Sequence, residues 1–449
     1  MANFISDLTQ EESLRQQNTL NLIASENYPS PKCLELMGSK WSLKYGEGFP
    51  GKRYYAGNNL VDELEIFVTQ KALEVFKAQD EYGVNLQCLS GSVANSLVYM
   101  SCLQPQDKIL SLSLSEGGHL SHMHATSSWN KFFVHQNYNL SEINERDWTI
   151  DLAHFEERIA EFKPRLVIIG FSSYPKKFDF VAMCRVAHKH NCLVLADISH
   201  ISGLVASGLH SSPFGYGVDG ADFVTTTTHK TLRGPRGAML YAKNYRPDYA
   251  TNLPDKALID IVNKTVFPGL LGGPNFSQIA GIGQCLLEIL GHEQYPDKLT
   301  FLEYSERVLT NTKLLETSLK RLGQNIVSPT ENHLCLIELK DNYDSLNIQE
   351  ELESVGIITN RNTIPGDKKT PWKPSGLRFG MAALTSRGIN EDQIIELANL
   401  INETIENLTP KHILIERVHN IVTKLKWWYD QEDLSKNDNF DLLEEIKFE

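Results

Sequence analysis

Lys230 follows the hydroxyl-rich run "FVTTTTH" and precedes "TLRGPRG". A lysine attacks carbonyls only where desolvation or neighbouring positive charge lowers its pKa. Arg236, in the same stretch, is a source of such charge. Asp197 closes another apolar run, "CLVLADISH". Taken singly, each residue has an ordinary reading: a lysine leaving a sheet for solvent, a carboxylate forming a turn or capping a helix. Taken together they meet the two needs of pyridoxal phosphate, an amine for a Schiff base and an acid beside the pyridine nitrogen. "LSGSVAN" places Ser90, Gly91 and Ser92 ahead of a helix, where backbone N–H groups and hydroxyls suit a phosphate. His119, in "EGGHLSHMH", offers a flat ring for stacking on a cofactor.

A competing motif lies upstream. "GEGFPGKRYYAG" nearly spells a nucleotide-binding phosphate loop. Arg53 stands where that loop needs a hydroxyl for magnesium, and "WSLKY" is a poor buried strand to precede it. The nucleotide reading therefore fails.

The cofactor residues need a sheet to hold them. Apolar runs too short for helices ("KILSLSL", "RLVIIGFSS", "CLVLADISH", "ADFVTTTTHKT") alternate with amphipathic stretches such as "VDELEIFVTQKALEVF", "SVANSLVYMSCL", "DLAHFEERIAEF" and "FVAMCRVAHKHN". This pattern predicts an α/β fold, a mostly parallel sheet covered on both faces, with its ligand at the carboxyl ends of the strands. Asp197 and Lys230 then fall at one rim. Beyond "FPGLLGGPNF" the character changes to one long helix over "YPDKLTFLEYSERVLTNTKLLETSLKRLG", then strand, helix, strand and two helical stretches. The expected division is an arm (1–20), a large cofactor-binding domain (21–271), a small α/β domain (272–428) and an acidic tail (429–449).

The chain has 449 residues and a net charge of −13, against nucleic acid or an anionic membrane as partner. Seven unclustered cysteines show no C-x-x-C pair, so no metal site is expected and reduced thiols in the cytoplasm are. "MANFISDLTQEES" has no apolar core of a secretory signal, and no run nears the roughly 18 residues of a membrane span.

Seven stretches, "LIASENYPSP", "KYGEGFPGKRYYAG", "SGSVAN", "GGHLSH", "DISHISGLVASG", "VTTTTHKTLRGPRG" and "SGLRFG", together resemble the serine hydroxymethyltransferase family. The resemblance runs from about residue 22 to about 424. It implies the aspartate-aminotransferase-like (type I) fold with a seven-stranded sheet. It also implies pyridoxal 5'-phosphate as cofactor, tetrahydrofolate as one-carbon acceptor, and serine and glycine as substrates.

Position by position, the resemblance makes Lys230 the Schiff-base lysine and Asp197 the pyridine-nitrogen partner. His119 stacks on the ring, Gly91 and Ser92 hold the phosphate with Gly273 of a neighbouring subunit, and Ser172 and His200 lie by the phenolic oxygen and the substrate carboxylate. Thr227 and His229 flank the lysine, with Arg236 nearby. Arg378 grips the amino-acid carboxylate, assisted by Ser25. Glu47 handles protons beside the folate, and Tyr45, Tyr54 and Tyr55 line the same site. Leu114, Gly118, Leu120 and Asn362 match folate contacts, and Phe267 an aromatic wall. The loop carrying Glu47 serves a neighbour's site, which implies a homodimer, with a tetramer left open.

The chain departs from the family at Leu89, Leu271, Ser277, Met381 and Ala382. These leave room for a related aldolase, transaldolase or hydroxymethyltransferase acting on another β-hydroxy or α-methyl amino acid. A degenerate member that binds a partner or RNA without catalysis is opposed by intact Lys230, Asp197 and Arg378.

Overall fold

The computed structural model describes residues 4–142, 147–370 and 372–429. Its centre is a seven-stranded sheet ordered Tyr82–Asn85, Ala238–Lys243, Phe223–Thr227, Leu193–Asp197, Leu166–Gly170, Lys108–Leu112, Val134–Tyr138. Only Ala238–Lys243 runs antiparallel to its neighbours. The inner strands are buried on both faces, whereas the edge strand Val134–Tyr138 is partly exposed. In Leu193–Asp197, Val194 and Ala196 enter one apolar core while Leu193 and Leu195 enter the other. Leu166–Gly170 splits the same way, Val167 and Ile169 against Leu166 and Ile168. The period of two thus feeds two cores from both of these strands, as expected of a sheet sandwiched by helices.

A second sheet of four antiparallel strands is ordered Asn325–Ile326, Leu334–Glu338, Gly376–Gly380, Asn360–Asn362. Leu377 and Phe379 enter its own core with Cys335 and Ile337. The helices Phe301–Arg321 and Glu391–Ile405 close it, each begun by a capping box, Thr300 with Glu303 and Asn390 with Gln393. Thr300 starts the long helix later than the pattern from "YPDKL" suggests, because its side chain accepts from the Glu303 N–H and ends the preceding loop.

Helix Phe276–Ile289 falls beyond the expected division at 272, yet Phe276, Ile279, Ile282 and Leu286 lie in the core of the large sheet. It packs against Pro31–Met37 and Asn59–Val75. The arm holds a helix, Phe4–Gln17, and the next residues pair Leu20 with Ile357 of the smaller unit. The expected acidic tail lies outside the described residues apart from Tyr429. Among the described residues no helix is long and apolar enough to cross a membrane.

Candidate active site

The strand register sets the site. Asp197, last in its strand, lies opposite Gly170 on one side and Thr225 on the other. A Cβ at position 170 would sit 2.4 Å from the Asp197 carbonyl oxygen, so only glycine lets the chain pass there. Lys230 follows three residues after the strand Phe223–Thr227 ends. Between the strands and the small sheet is a cavity of about 450 Å³.

Lys230 is 7% exposed, and its Nζ makes no hydrogen bond or ion pair among the described residues. Burial, followed by the fields of Arg378 and Arg236, outweighs the pull of Asp197 and lowers its pKa to about 8. Asp197 is the reverse case. Burial would raise its pKa, but His122, Asn95 and Lys230 more than offset this and hold the carboxyl ionised, well below its usual range. His122 Nε2 lies 3.0 Å from Oδ2, and Asn95 Nδ2 donates to the same oxygen at 2.9 Å. The His119 N–H donates to His122 Nδ1, so Nε2 is the protonated nitrogen and His122 donates to the carboxylate. The Ser199 N–H donates to Oδ1. Asn95, His122 and Ser199 hold this carboxylate and were missed in the sequence reading, although "SGSVAN" and "GGHLSH" contain two of them.

His119 lines the cavity, and burial, then His122, depresses its pKa to about 4. Burial, with Lys230 next, lowers His200 well below the ordinary histidine range and His229 to about 3. All three are neutral at pH 7. Gly91 and Ser92 begin the helix Gly91–Cys102, with Ser90 as its cap. A Cβ on Gly91 would meet Thr227 Cγ2 at 2.8 Å. Glycine is therefore what allows this helix N-terminus to approach the lysine strand. A free buried amine, an ionised carboxylate, a neutral imidazole and open helix N–H groups in one cavity fit pyridoxal phosphate.

Arg378 projects from Gly376–Gly380 away from the small core and is 9% exposed. Its Nε donates to Asn360 Oδ1 at 3.0 Å and Nη1 to the Ser172 carbonyl at 2.7 Å. Nη2 has no protein partner among the described residues and stays available for a carboxylate. The Ser172 hydroxyl is turned to the Gly118 carbonyl at 2.8 Å. Ser25, Leu114, Leu120, Arg236 and Asn362 also line the cavity. Gly118 does not; it sits in a turn where a Cβ would meet the Leu112 carbonyl at 2.3 Å.

The remaining expected residues gather elsewhere. Tyr45, Glu47, Tyr54, Tyr55, Phe267 and Gly273 do not line the cavity. The Tyr45 hydroxyl lies 3.1 Å from Glu47 Oε1, Tyr45 meets Tyr55 edge to face, and Tyr54 does the same with Phe267. Tyr45, Tyr54 and Tyr55 are 55%, 76% and 47% exposed, a mostly uncovered aromatic surface around one carboxylate. Arg53, which ruled out the nucleotide loop, anchors this segment through ion pairs to Asp62 and Glu65.

None of the five departures lines the cavity. Met381 and Ala382 are buried, Leu271 packs against an apolar core, the Ser277 hydroxyl bonds Asn275, and Leu89 is half exposed.

An amine and an ionised aspartate lining one cavity, at the rim of a seven-stranded and mainly parallel sheet, mark a pyridoxal-phosphate-dependent enzyme of fold type I. Comparison with known sequences narrows this class. The profile described as "Serine hydroxymethyltransferase" matches residues 2–401, and the chain belongs to that family. A serine hydroxymethyltransferase of Desulfotalea psychrophila is 40% identical over 414 residues, covering 92% of this chain and 90% of the relative. Those of Phytoplasma mali and Metamycoplasma arthritidis are each 39% identical, covering 94% of this chain and 95% and 93% of theirs.

Proposed function

We propose that the protein reversibly transfers the hydroxymethyl carbon of serine to tetrahydrofolate, leaving glycine, as a homodimer with shared active sites. The observation that carries this reading is the convergence of Lys230, Asp197 and Arg378 on one cavity. When bound, pyridoxal phosphate supplies the electron sink for cleavage at the substrate Cα. Lys230 would hold the cofactor through its amine. Asp197, fixed by His122 and Asn95, would set a negative charge beside the ring nitrogen. Neutral His119 would supply a face for stacking, and the N-terminus at Gly91 and Ser92, with Arg236 in the same cavity, would receive the phosphate. Arg378 fixes the rotation of serine by its carboxylate. Thr227, His229, His200, Ser172 and Ser25 shape the remaining wall. Leu114, Leu120 and Asn362 form the side on which the folate enters.

Glu47 moves protons from the partner's chain, within the cluster of Tyr45, Tyr54, Tyr55, Phe267 and Gly273. Two lobes do this work: a large one holding the cofactor, counted with Phe276–Ile289, and a small one holding Arg378. All seven cysteines are free and buried, which supports a reducing, cytoplasmic setting. None of the five departures lines the cavity, which favours serine and folate over another β-hydroxy or α-methyl amino acid.

The test is incubation of the purified protein, loaded with pyridoxal phosphate, with serine with and without tetrahydrofolate. Folate-dependent glycine formation is expected. Turnover of a β-hydroxy amino acid without folate, and none of serine, would overturn the reading.

A further inference from the structure

Three residues after Lys230, Arg233 adopts a left-handed backbone conformation, φ +59°. Outside glycine this costs on the order of 1 kcal/mol and persists only where surroundings enforce it. Here they do. Its guanidinium lies between the rings of Tyr295 and Tyr304, 3.7 and 3.9 Å from their centroids. Its Nη1 donates to Asp297 Oδ2 at 2.8 Å, and both side chains are almost fully buried. The backbone conformation closes a tight turn in which the Arg233 N–H donates to the Lys230 carbonyl and the Gly234 N–H to that of Thr228.

The Lys230 carbonyl receives a second donor, Asn27 Nδ2, at 2.7 Å. The Asn27 side-chain amide makes four hydrogen bonds. Its Nδ2 also donates to the Tyr304 hydroxyl, and its Oδ1 accepts from the Tyr28 N–H and the Ser386 hydroxyl. Tyr304 is thus shared: its face stacks on Arg233 and its hydroxyl holds Asn27. The lysine's backbone is tied from two directions to one ring on the helix Phe301–Arg321.

We propose that Arg233 and Asn27 are positioning residues that fix the backbone of Lys230, and so aim its amine at the cofactor carbonyl, through their common partner Tyr304. The effect is geometric. Arg233 is neutralised by Asp297, so it places no net charge beside the amine. The proposal rests on Lys230 being the cofactor's lysine. That premise has its own readout, since borohydride reduction of the wild-type protein must leave pyridoxal phosphate attached at Lys230 in a peptide map.

The test compares Arg233→Ala, Arg233→Lys and Asn27→Ala in three measurements: melting temperature, release rate of pyridoxal phosphate into an excess of a scavenging apoenzyme, and acylation rate of Lys230 in cofactor-free protein. Release at least about tenfold faster than wild type is expected for both alanine variants, measured at a temperature where each is folded. Arg233→Lys should recover the melting temperature through Asp297 but not the release rate, because an ammonium cannot fill the planar slot between two rings. Should Arg233→Ala fail to fold, Asn27→Ala, which leaves the stack in place, decides alone. Folded variants with wild-type release and wild-type Lys230 acylation would overturn the proposal, whatever their melting temperatures.

Discussion

Lys230 is buried, has no ion-pair partner among the described residues and feels the charges of Arg378 and Arg236, and each circumstance disfavours its charged form. With a pKa of about 8 in place of 10.5, a sizeable fraction of the amine is neutral near pH 8. The neutral amine is the nucleophile, so reactivity rises with pH and its midpoint marks the pKa. Acylation of Lys230 in the cofactor-free protein should therefore rise with a midpoint near pH 8, followed by mass spectrometry of its peptide. A midpoint above pH 10 would mean that the amine is solvated. The linkage has the matching sign. Between about pH 8 and 10.5 the unfolded chain binds the proton and the folded one does not, so this residue's contribution to the stability of the cofactor-free protein grows as pH rises through that window. Arg378 gives a second residue-scale test. Arg378→Lys keeps the charge but loses the planar fork and the bonds to Asn360 and the Ser172 carbonyl. The KM for serine should rise by about 30- to 100-fold, the equivalent of losing about 2–3 kcal/mol of charge-assisted hydrogen bonding. Unchanged KM would remove Arg378 from carboxylate binding.

At the scale of elements, the site is a meeting of strand ends with one helix N-terminus, and Gly91 sets how closely they meet. Gly91→Ala places a methyl 2.8 Å from Thr227 Cγ2, so the helix must retreat from the strand end. Overpacking of this kind costs about 1–3 kcal/mol. The affinity for pyridoxal phosphate should fall about tenfold or more, read by titration of visible absorbance, with a lower melting temperature. Unaltered affinity would place the phosphate away from this helix. Much of this layer was legible in the sequence. Strands buried on both faces read as unbroken apolar runs, and a lysine or aspartate at the end of one stands out by type. The residues that hold them did not stand out. Asn95 reaches Asp197 from a helix, Asn360 reaches Arg378 from a neighbouring strand, and Asn27 reaches Lys230 across 203 positions. Such contacts exist only once the chain is folded, and a lone asparagine carries no local signature of them. The helix Phe276–Ile289 lies beyond the expected division at 272, which follows the change of character after "FPGLLGGPNF". Its apolar face shows which core it joins.

At the scale of the whole molecule, the residues expected to share one site form two groups. Lys230, Asp197 and Arg378 surround the cavity, whereas Glu47 and its tyrosines form a largely exposed surface that does not line it. Bare aromatic rings around a carboxylate are costly to leave in water and suit a contact with another copy. If each such surface completes the partner's cavity, two dead variants can restore each other. Lys230→Ala removes the amine, and Glu47→Gln removes the proton-handling carboxylate. Co-expressed with two different tags and purified through both, they give a hybrid dimer. One of its sites carries both changes, and the other combines an intact Lys230 from one chain with an intact Glu47 from its partner. The hybrid should recover about half the wild-type rate per dimer, since one of two symmetric sites is whole. Were Glu47 to serve its own chain's cavity, each site of the hybrid would carry one change and the rate would stay at the level of the separate variants.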